Sequence, residues 1–350
     1  MKTVVLGGTA VGERLPPYII AEIGSNHNGD MELCRRLIDE AADAGAHAVK
    51  FQSWSESTLI AKEEYDRNPE YSDKKRHFGS LREMVRAYQL TPDQHLEALR
   101  WCRERKVAFC SSVFSNEEAD LLERLDVPFY KIASMDVTNL PLLAYVAAKR
   151  RPILLSTGMA TLAEIDRAVE TVRREGNEEI VLLHCVSIYP PLYETIHLRN
   201  MEMLRQAFDV PVGFSDHTLG TSIPLAAIAL GACVIEKHFT LDKEMAGWDH
   251  WISADPPELR TIVAEGRNVF AALGEHVRTV TEAEMEKRQR FRRSLVARRA
   301  LKRGEVLTEG DLDAKRPGTG IGPDEMRYVV GRKLVEDIEE DQLLSWKDLE

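Results

Sequence analysis

The sequence predicts an α/β fold, a closed (β/α)8 TIM barrel followed by a small β-rich domain. Three observations carry this expectation. Eight short apolar runs alternate with amphipathic stretches along most of the chain. The runs are β-branched and apolar nearly throughout, as strands buried on both faces must be. Each run ends in a polar or charged residue, and a parallel barrel gathers its chemistry at the C-terminal ends of its strands. A doubly wound sheet is the competing arrangement, but no Gly-x-Gly-x-x-Gly turn follows the first run.

Taken in order, residues 3–6 and 10–15, split by Gly7-Gly8, read as a short hairpin before the first main strand. The strand candidates are 18–24, 46–52, 107–113, 127–134, 152–158, 180–187, 210–217 and 233–240. Between them lie helical stretches such as MELCRRLIDEAADAG, TPDQHLEALRWCRERK and TLAEIDRAVETVRREG. The last opens with a capping box at Thr161 and Glu164 and stops at Gly176. Strand starts fall 20 to 30 residues apart except between the second and third, where the gap is 61. The extra segment, 53–80, is polar and aromatic and reads as a lid or binding loop. After Gly274 the alternation stops. The expected division is a catalytic barrel at 1–275, a charged helix or linker at 276–292 and the β-rich module at 293–350.

A chain of 350 residues suits a barrel of about 250 residues plus an appendage. The formal net charge is −11, of which residues 293–350 carry −2 and the remainder −9. Such an acidic chain is a poor nucleic-acid binder, so an anionic ligand must be held by a few focused cations. The five cysteines form no C-x-x-C pair and read as buried free thiols of a reducing compartment. The N-terminus is broken by glycines and prolines, unlike a signal peptide, and no run approaches the roughly 18 apolar residues of a membrane span. The expected location is the cytoplasm.

The strand ends offer Glu22, Lys50 with Gln52, Ser111 with Ser112, Lys131 with Ser134 and Asp136, and Ser156 with Thr157. They continue with His184 and Ser187, Ser215 and His217, and Glu236, Lys237 and His238. Two lysines inside otherwise buried runs need counter-charges, because burying an unpartnered ammonium is costly. An anion in the barrel mouth meets that need, and serine hydroxyls beside it suit a phosphate. His217 and His238 end adjacent runs at equivalent depth. Two imidazoles among carboxylates and water suit a divalent ion such as Mn²⁺, Co²⁺ or Fe²⁺, with positions left for a substrate oxygen. A structural zinc would require four protein ligands.

These segments together resemble the sialic acid synthase family, the bacterial nonulosonate synthases. The phrases that carry the resemblance are IAEIGSNHNG (20–29), VKFQ (49–52), YKIAS (130–134), ILLSTGM (153–159), LLHC with IYP (182–190), GFSDHT (213–218) and EKHFT (236–240). KRPGTGI (315–321) adds a tail similar to the antifreeze-like, or SAF, domain. The resemblance implies condensation of phosphoenolpyruvate with the open-chain aldehyde of an N-acylated mannosamine-type sugar. The product is a nine-carbon 2-keto-3-deoxy acid, with release of phosphate. It further implies that His217 and His238 hold a divalent metal, Mn²⁺ before Mg²⁺ or Co²⁺. Lys50, Ser112, Lys131, Ser134, Ser156, Ser187 and Ser215 would hold phosphoenolpyruvate, and Glu22, Gln52, Tyr189 and Asp249 would meet the sugar. Arg316 would reach the N-acyl group from a partner subunit, which implies a domain-swapped homodimer. Glu22 and Asp136 are the candidates for general acid and base, beside the cations Lys50 and Lys131.

The chain departs from the sialic acid pattern in SMD with Asp136, in HCVS with Ser187 and in SSVFS with Ser112. SMD together with GWDHWISAD (247–255) is closer to the legionaminic acid branch, with N-acetylneuraminate and pseudaminic acid synthases as the alternatives. Two other classes of protein fit the sequence less well. A metal-dependent hydrolase barrel commonly carries a His-x-His pair after its first strand, whereas this one has a lone His27. An ice- or carbohydrate-binding protein, suggested only by the tail, needs a flat regular surface, whereas the tail is charged (KLVEDIEEDQ).

Overall fold

The computed structural model describes residues 2–72 and 77–350, so residues 73–76 of the expected lid segment lie outside the described residues. Each of the eight runs forms one strand: Tyr18–Gly24, Ala48–Ser53, Ala108–Val113, Tyr130–Ile132, Ile153–Ser156, Ile180–Cys185, Val212–Asp216 and Val234–His238. They pair in parallel in chain order, and the eighth closes on the first through Val234↔Tyr18 to His238↔Glu22. The barrel is therefore closed, and the doubly wound alternative is excluded.

Strand alternation divides each run between two environments. Ile19, Ala21, Val49, Phe51, Phe109, Ile153, Leu155, Phe214 and Ile235 face the surrounding helices and join the larger core. Tyr18, Ile20, Ala48, Cys110, Phe129, Leu154, Val181, Leu183 and Val234 form a second cluster with Val4, Leu6 and Val11 of the N-terminal hairpin. The hairpin strands, Thr3–Leu6 and Thr9–Gly12, thus share the barrel's interior core. The apolar layer fills the N-terminal part of the barrel. The next residues of the same parity, Glu22, Lys50, Ser112, Lys131, Ser156, Cys185, Ser215 and Glu236, belong to the mouth.

Close packing inside the barrel leaves one strand position without room for any side chain. A Cβ on Gly213 would lie 2.5 Å from the Val234 carbonyl oxygen and 2.8 Å from Leu183 Cδ2. Gly213→Ala is expected to cost about 1–3 kcal/mol, as overpacking does, read as a thermal midpoint lower by several degrees. An unchanged midpoint would show that the seventh and eighth strands can separate freely.

The helices begin where the sequence places caps. Asp30 accepts from the amides of Glu32 and Leu33 at the start of Met31–Asp43, and Thr161 and Glu164 form a capping box on Leu162–Arg174. The described part of the insertion after the second strand holds regular structure where a loop is expected for 53–80. It contains the helices Glu56–Leu59 and Lys62–Arg67 before Leu81–Tyr88, too short to announce themselves by periodicity. Trp54, Tyr65, Leu81, Met84, Val85 and Tyr88 form its own small core, against which Leu59 and Phe114 pack. Glu56 ties the segment down by pairing with both Arg82 and Arg86.

The chain divides into two compact units, Met1–Gly274 and Glu275–Glu350. The charged stretch after Gly274 contains a helix, Glu282–Phe291, capped by Thr281 and Glu284 and grouped with the second unit. That unit has one regular antiparallel ladder among its described residues, Ser294–Ala297 with Leu312–Lys315. Isolated bridges such as Val296↔Leu343 and Leu301↔Ile338 knit the rest around Leu295, Leu307, Val329 and Leu344. All five cysteines are free and buried. No helix among the described residues is long and apolar enough to cross a membrane.

Candidate active site

A cavity of about 280 Å³ opens among the C-terminal strand ends of the barrel. Its lining includes Glu22, Gln52, Lys50, Ser112, Lys131, Ser134, Ser156, Ser187, Tyr189, Ser215, His217 and His238. These expected site residues come from all eight strands or the loops that follow them, and the fold alone brings them together. Two carboxylates and two ammonium groups form the floor. Lys50 Nζ lies 2.7 Å from Glu22 Oε1 and 3.9 Å from Glu236 Oε2, and it donates to Ser112 Oγ at 3.1 Å. Lys131 Nζ lies 3.7 Å from Glu236 Oε1, which also accepts from Ser215 Oγ at 2.9 Å. Gln52 Nε2 donates to Glu22 Oε1 at 2.9 Å.

This network corrects two expectations. The buried lysines were expected to need an external anion, yet Glu22 and Glu236 already answer them. Glu236 stands toward the end of the eighth run in the sequence and, beyond the expected site residues, also lines the cavity. Its signal was parity, because Glu236 shares a strand face with His238 whereas Lys237 does not. The second correction concerns Asp136. The chain leaves the fourth strand through a short 3-10 turn, Ser134–Asp136, which brings Ser134 and Met135 to the cavity. Asp136 does not line the cavity, and its Oδ1 instead accepts from Asn139 Nδ2 at 3.0 Å. Of the two expected acid–base candidates, Asp136 does not line the cavity, whereas Glu22 does, and so does Glu236.

The environments of these two carboxyls push them in opposite directions. Burial drives Glu22 up to about 7, with Lys50 opposing and Glu236 adding to the rise. Burial also works against a charge on Glu236, but Lys131, Lys50 and the Ser215 hydroxyl outweigh it and hold that carboxyl below its ordinary range. Lys50 is held above its usual value because Glu22 and Glu236 overcome burial, whereas burial lowers Lys131. Such a split is how a site keeps one proton donor and one permanent anion at neutral pH.

His217 and His238 face each other across 5.4 Å between ring centroids, with Tyr189 packed 4.1 Å from His217. His217 Nδ1 donates to the Val186 carbonyl at 2.9 Å, which leaves Nε2 as its free lone pair. Burial lowers His217, but Cys185 and that carbonyl shift the balance upward. Burial, reinforced by His217, holds His238 well below its ordinary value, hence neutral. Its Nδ1 has no hydrogen-bond partner and lies 3.7 Å from Asp249 Oδ2. Burial raises Asp249 to about 6. This donor set fits a divalent ion as two imidazole ligands, one already oriented by a backbone carbonyl. Among the described residues no group of three or more His, Cys, Asp or Glu side chains is arranged to hold a metal ion, so further ligands would have to come from elsewhere.

Five lining residues hold buried polar atoms with no hydrogen-bond partner: Glu22 Oε2, Trp54 Nε1, Ser156 Oγ, Glu236 Oε2 and His238 Nδ1. Buried polar groups are nearly always paired, so five such atoms around one cavity mark a place built for polar ligands. Gly158 makes room beside them. A Cβ there would sit 2.3 Å from Ser187 Oγ and 2.9 Å from Ser134 Oγ, while the Gly158 amide donates to Ser134 at 3.0 Å. Trp54, Leu59, Phe114, Met135 and Met159 also line the cavity and add apolar surface to it. Cys185 and Trp248 also line the cavity. Arg316 lies in the second unit, its guanidinium 4.9 Å from the centre of the Phe291 ring.

A closed parallel barrel with this concentration of charge at its mouth defines the class of protein: a (β/α)8 barrel with its candidate active site at the C-terminal strand ends. The sequence profile of the NeuB family matches residues 37–278, and that of the SAF domain matches residues 292–350. The chain belongs to the NeuB family. It is 40% identical over 332 residues to the N,N'-diacetyllegionaminic acid synthase of Campylobacter jejuni, covering 93% of this chain and 98% of that one. The synthase of the same name from Legionella pneumophila is 39% identical, covering 97% and 96%. The crystal structure of the N-acetylneuraminic acid synthetase of Leptospira borgpetersenii superposes with a TM-score of 0.73 at 32% identity, over 82% of this chain and 95% of that one.

Proposed function

We propose that this enzyme joins phosphoenolpyruvate to the open-chain aldehyde of an N-acylated mannosamine-type sugar, giving a nine-carbon 2-keto-3-deoxy acid and phosphate. The observation that carries this reading is that both lysines, both imidazoles and two carboxyls of opposed proton affinity line one cavity. Lys50, Lys131 and the hydroxyls of Ser112, Ser134, Ser156, Ser187 and Ser215 suit the phosphate and carboxylate of phosphoenolpyruvate. Gln52, Tyr189, Asp249 and Glu22 are the proposed contacts of the sugar.

In this reading carbon 3 of phosphoenolpyruvate attacks the aldehyde carbon, and positive charge develops at carbon 2. Water adds there, and cleavage of the carbon–oxygen bond expels phosphate. Glu22 supplies a proton to the aldehyde oxygen as the new bond forms, from the otherwise unpartnered Oε2. Glu236 stays ionised between the two ammonium groups and keeps them in place. A divalent ion held by His217 and His238 would supply Lewis-acid polarisation of the aldehyde. EDTA is expected to abolish turnover and added Mn²⁺ to restore it; full activity in EDTA would remove the ion from the reading.

The acceptor is proposed to be 2,4-diacetamido-2,4,6-trideoxymannose, the precursor of the legionaminic acid branch. The names of two similar synthases support this choice. So does the apolar surface of Trp54, Leu59, Phe114 and Met135, which suits a 6-deoxy end better than a hydroxylated one. Phosphate release from phosphoenolpyruvate with this sugar or with N-acetylmannosamine tests the reading. Release with neither overturns the reaction, and preference for N-acetylmannosamine overturns the acceptor. Arg316 is the proposed contact of the N-acyl group, contributed by a second copy of the chain in a swapped homodimer. Arg316→Ala is expected to raise the KM for the sugar and leave that for phosphoenolpyruvate alone; an unchanged sugar KM would refute that role.

A further inference from the structure

Behind the two imidazoles lies an ion pair that the cavity chemistry does not use. Asp216 immediately precedes His217, and Lys237 immediately precedes His238. Neither residue lines the cavity, and their side chains are 0% and 1% exposed. Lys237 Nζ lies 2.6 Å from Asp216 Oδ2 and donates to the Thr218 carbonyl at 2.6 Å. The Thr218 amide in turn donates to Asp216 Oδ1 at 2.9 Å. The pair therefore joins the end of the seventh strand, the turn beyond His217 and the eighth strand in one closed set of bonds.

Its place in the ladder is informative. Pairing between the two strands runs Phe214↔Ile235, Ser215↔Glu236 and Asp216↔Lys237, and it stops there. Both histidines stand one residue beyond the last pair, where backbone bonds between these strands no longer fix their separation. The side-chain pair takes over at that point. Stability alone is a poor account of it, because a buried ion pair is often matched or bettered by apolar residues of similar volume. What such a pair adds is short, directional contact across the two strands.

We propose that Asp216 and Lys237 are positioning residues that set the separation of His217 and His238, and hence the affinity of the cavity for a divalent cation. The proposal rests on the reading of the two histidines as cation ligands. The outer partners of metal-binding imidazoles commonly govern affinity by tenfold or more. These two residues would act one step further out, through the backbone.

The test is titration of the intact protein with Mn²⁺ alone, without substrates, followed by the loss of the free-ion electron paramagnetic resonance signal. Three forms are compared: the natural protein, Asp216→Met with Lys237→Met, and Asp216→Asn, which keeps the shape and an acceptor for Thr218. Circular dichroism and thermal unfolding are recorded for each. The double variant is expected to keep its fold and to bind Mn²⁺ about tenfold or more weakly, with Asp216→Asn in between. Natural affinity in a folded double variant would overturn the proposal. If the double variant does not fold, undiminished affinity in Asp216→Asn overturns it instead. A natural protein that binds no Mn²⁺ would overturn the ligand reading itself, an outcome distinguishable because it appears without any substitution.

Discussion

Glu236→Gln is expected to cripple the enzyme and loosen its fold together. The substitution keeps the shape and an acceptor for Ser215 but removes the one charge that both Lys131 and Lys50 share. Two buried ammonium groups then have Glu22 as their remaining carboxylate in the network. Breaking a buried pair by removing one partner costs about 3–5 kcal/mol, so denaturant unfolding should show a loss of this order. The effect on turnover has a second source. Glu236 helps to push Glu22 upward, and without it the lysines draw Glu22 toward its ionised form. The site then loses its proton donor at neutral pH, and turnover should fall at least about a hundredfold. Natural turnover in a stably folded Glu236→Gln enzyme would show that the charge between the lysines is dispensable.

Glu22→Gln tests the proton itself. With Glu22 at about 7, the carboxyl is protonated below that pH and ionised above it. A step that needs the acid form should therefore slow as pH rises through about 7. In the variant kcat should fall by about 10²–10⁴, the usual contribution of a positioned acid or base. The alkaline limb centred near 7 should vanish with it, because glutamine does not titrate. A variant that retains the limb would assign the proton to another group. Binding of phosphoenolpyruvate should survive better than turnover, since the ammonium groups remain.

Much of this architecture was legible in the chain. The first strand, 18–24, falls where its apolar run predicts, and every other predicted strand overlaps an observed one. Ends were less visible: 127–134 reads as one strand, yet only Tyr130–Ile132 joins the ladder, because the sequence does not reveal where paired backbone gives way to a turn. The same blindness misplaced Asp136. It follows a strand end in sequence, but the 3-10 turn carries its carboxylate to Asn139. The helices of the 53–80 insertion were missed because four to six residues hold too little periodicity to register. Glu236 was visible as a residue and invisible as a partner of Lys50 and Lys131, which lie more than 100 positions away.

The sequence by itself determined the eight strands, their order, the division of each between core and mouth, and the identity of both histidines and both lysines. Local pattern is enough for these, since a buried parallel strand must be apolar and alternation of side chains is a property of the extended backbone. Only the tertiary structure decided which charge answers which. Closing the barrel sets Glu236 between two lysines from other strands, raises Glu22 by burying it beside them, and locks Asp216 to Lys237 where the ladder ends. Electrostatic energy depends on distance and burial, and neither exists for distant residues until the chain has folded.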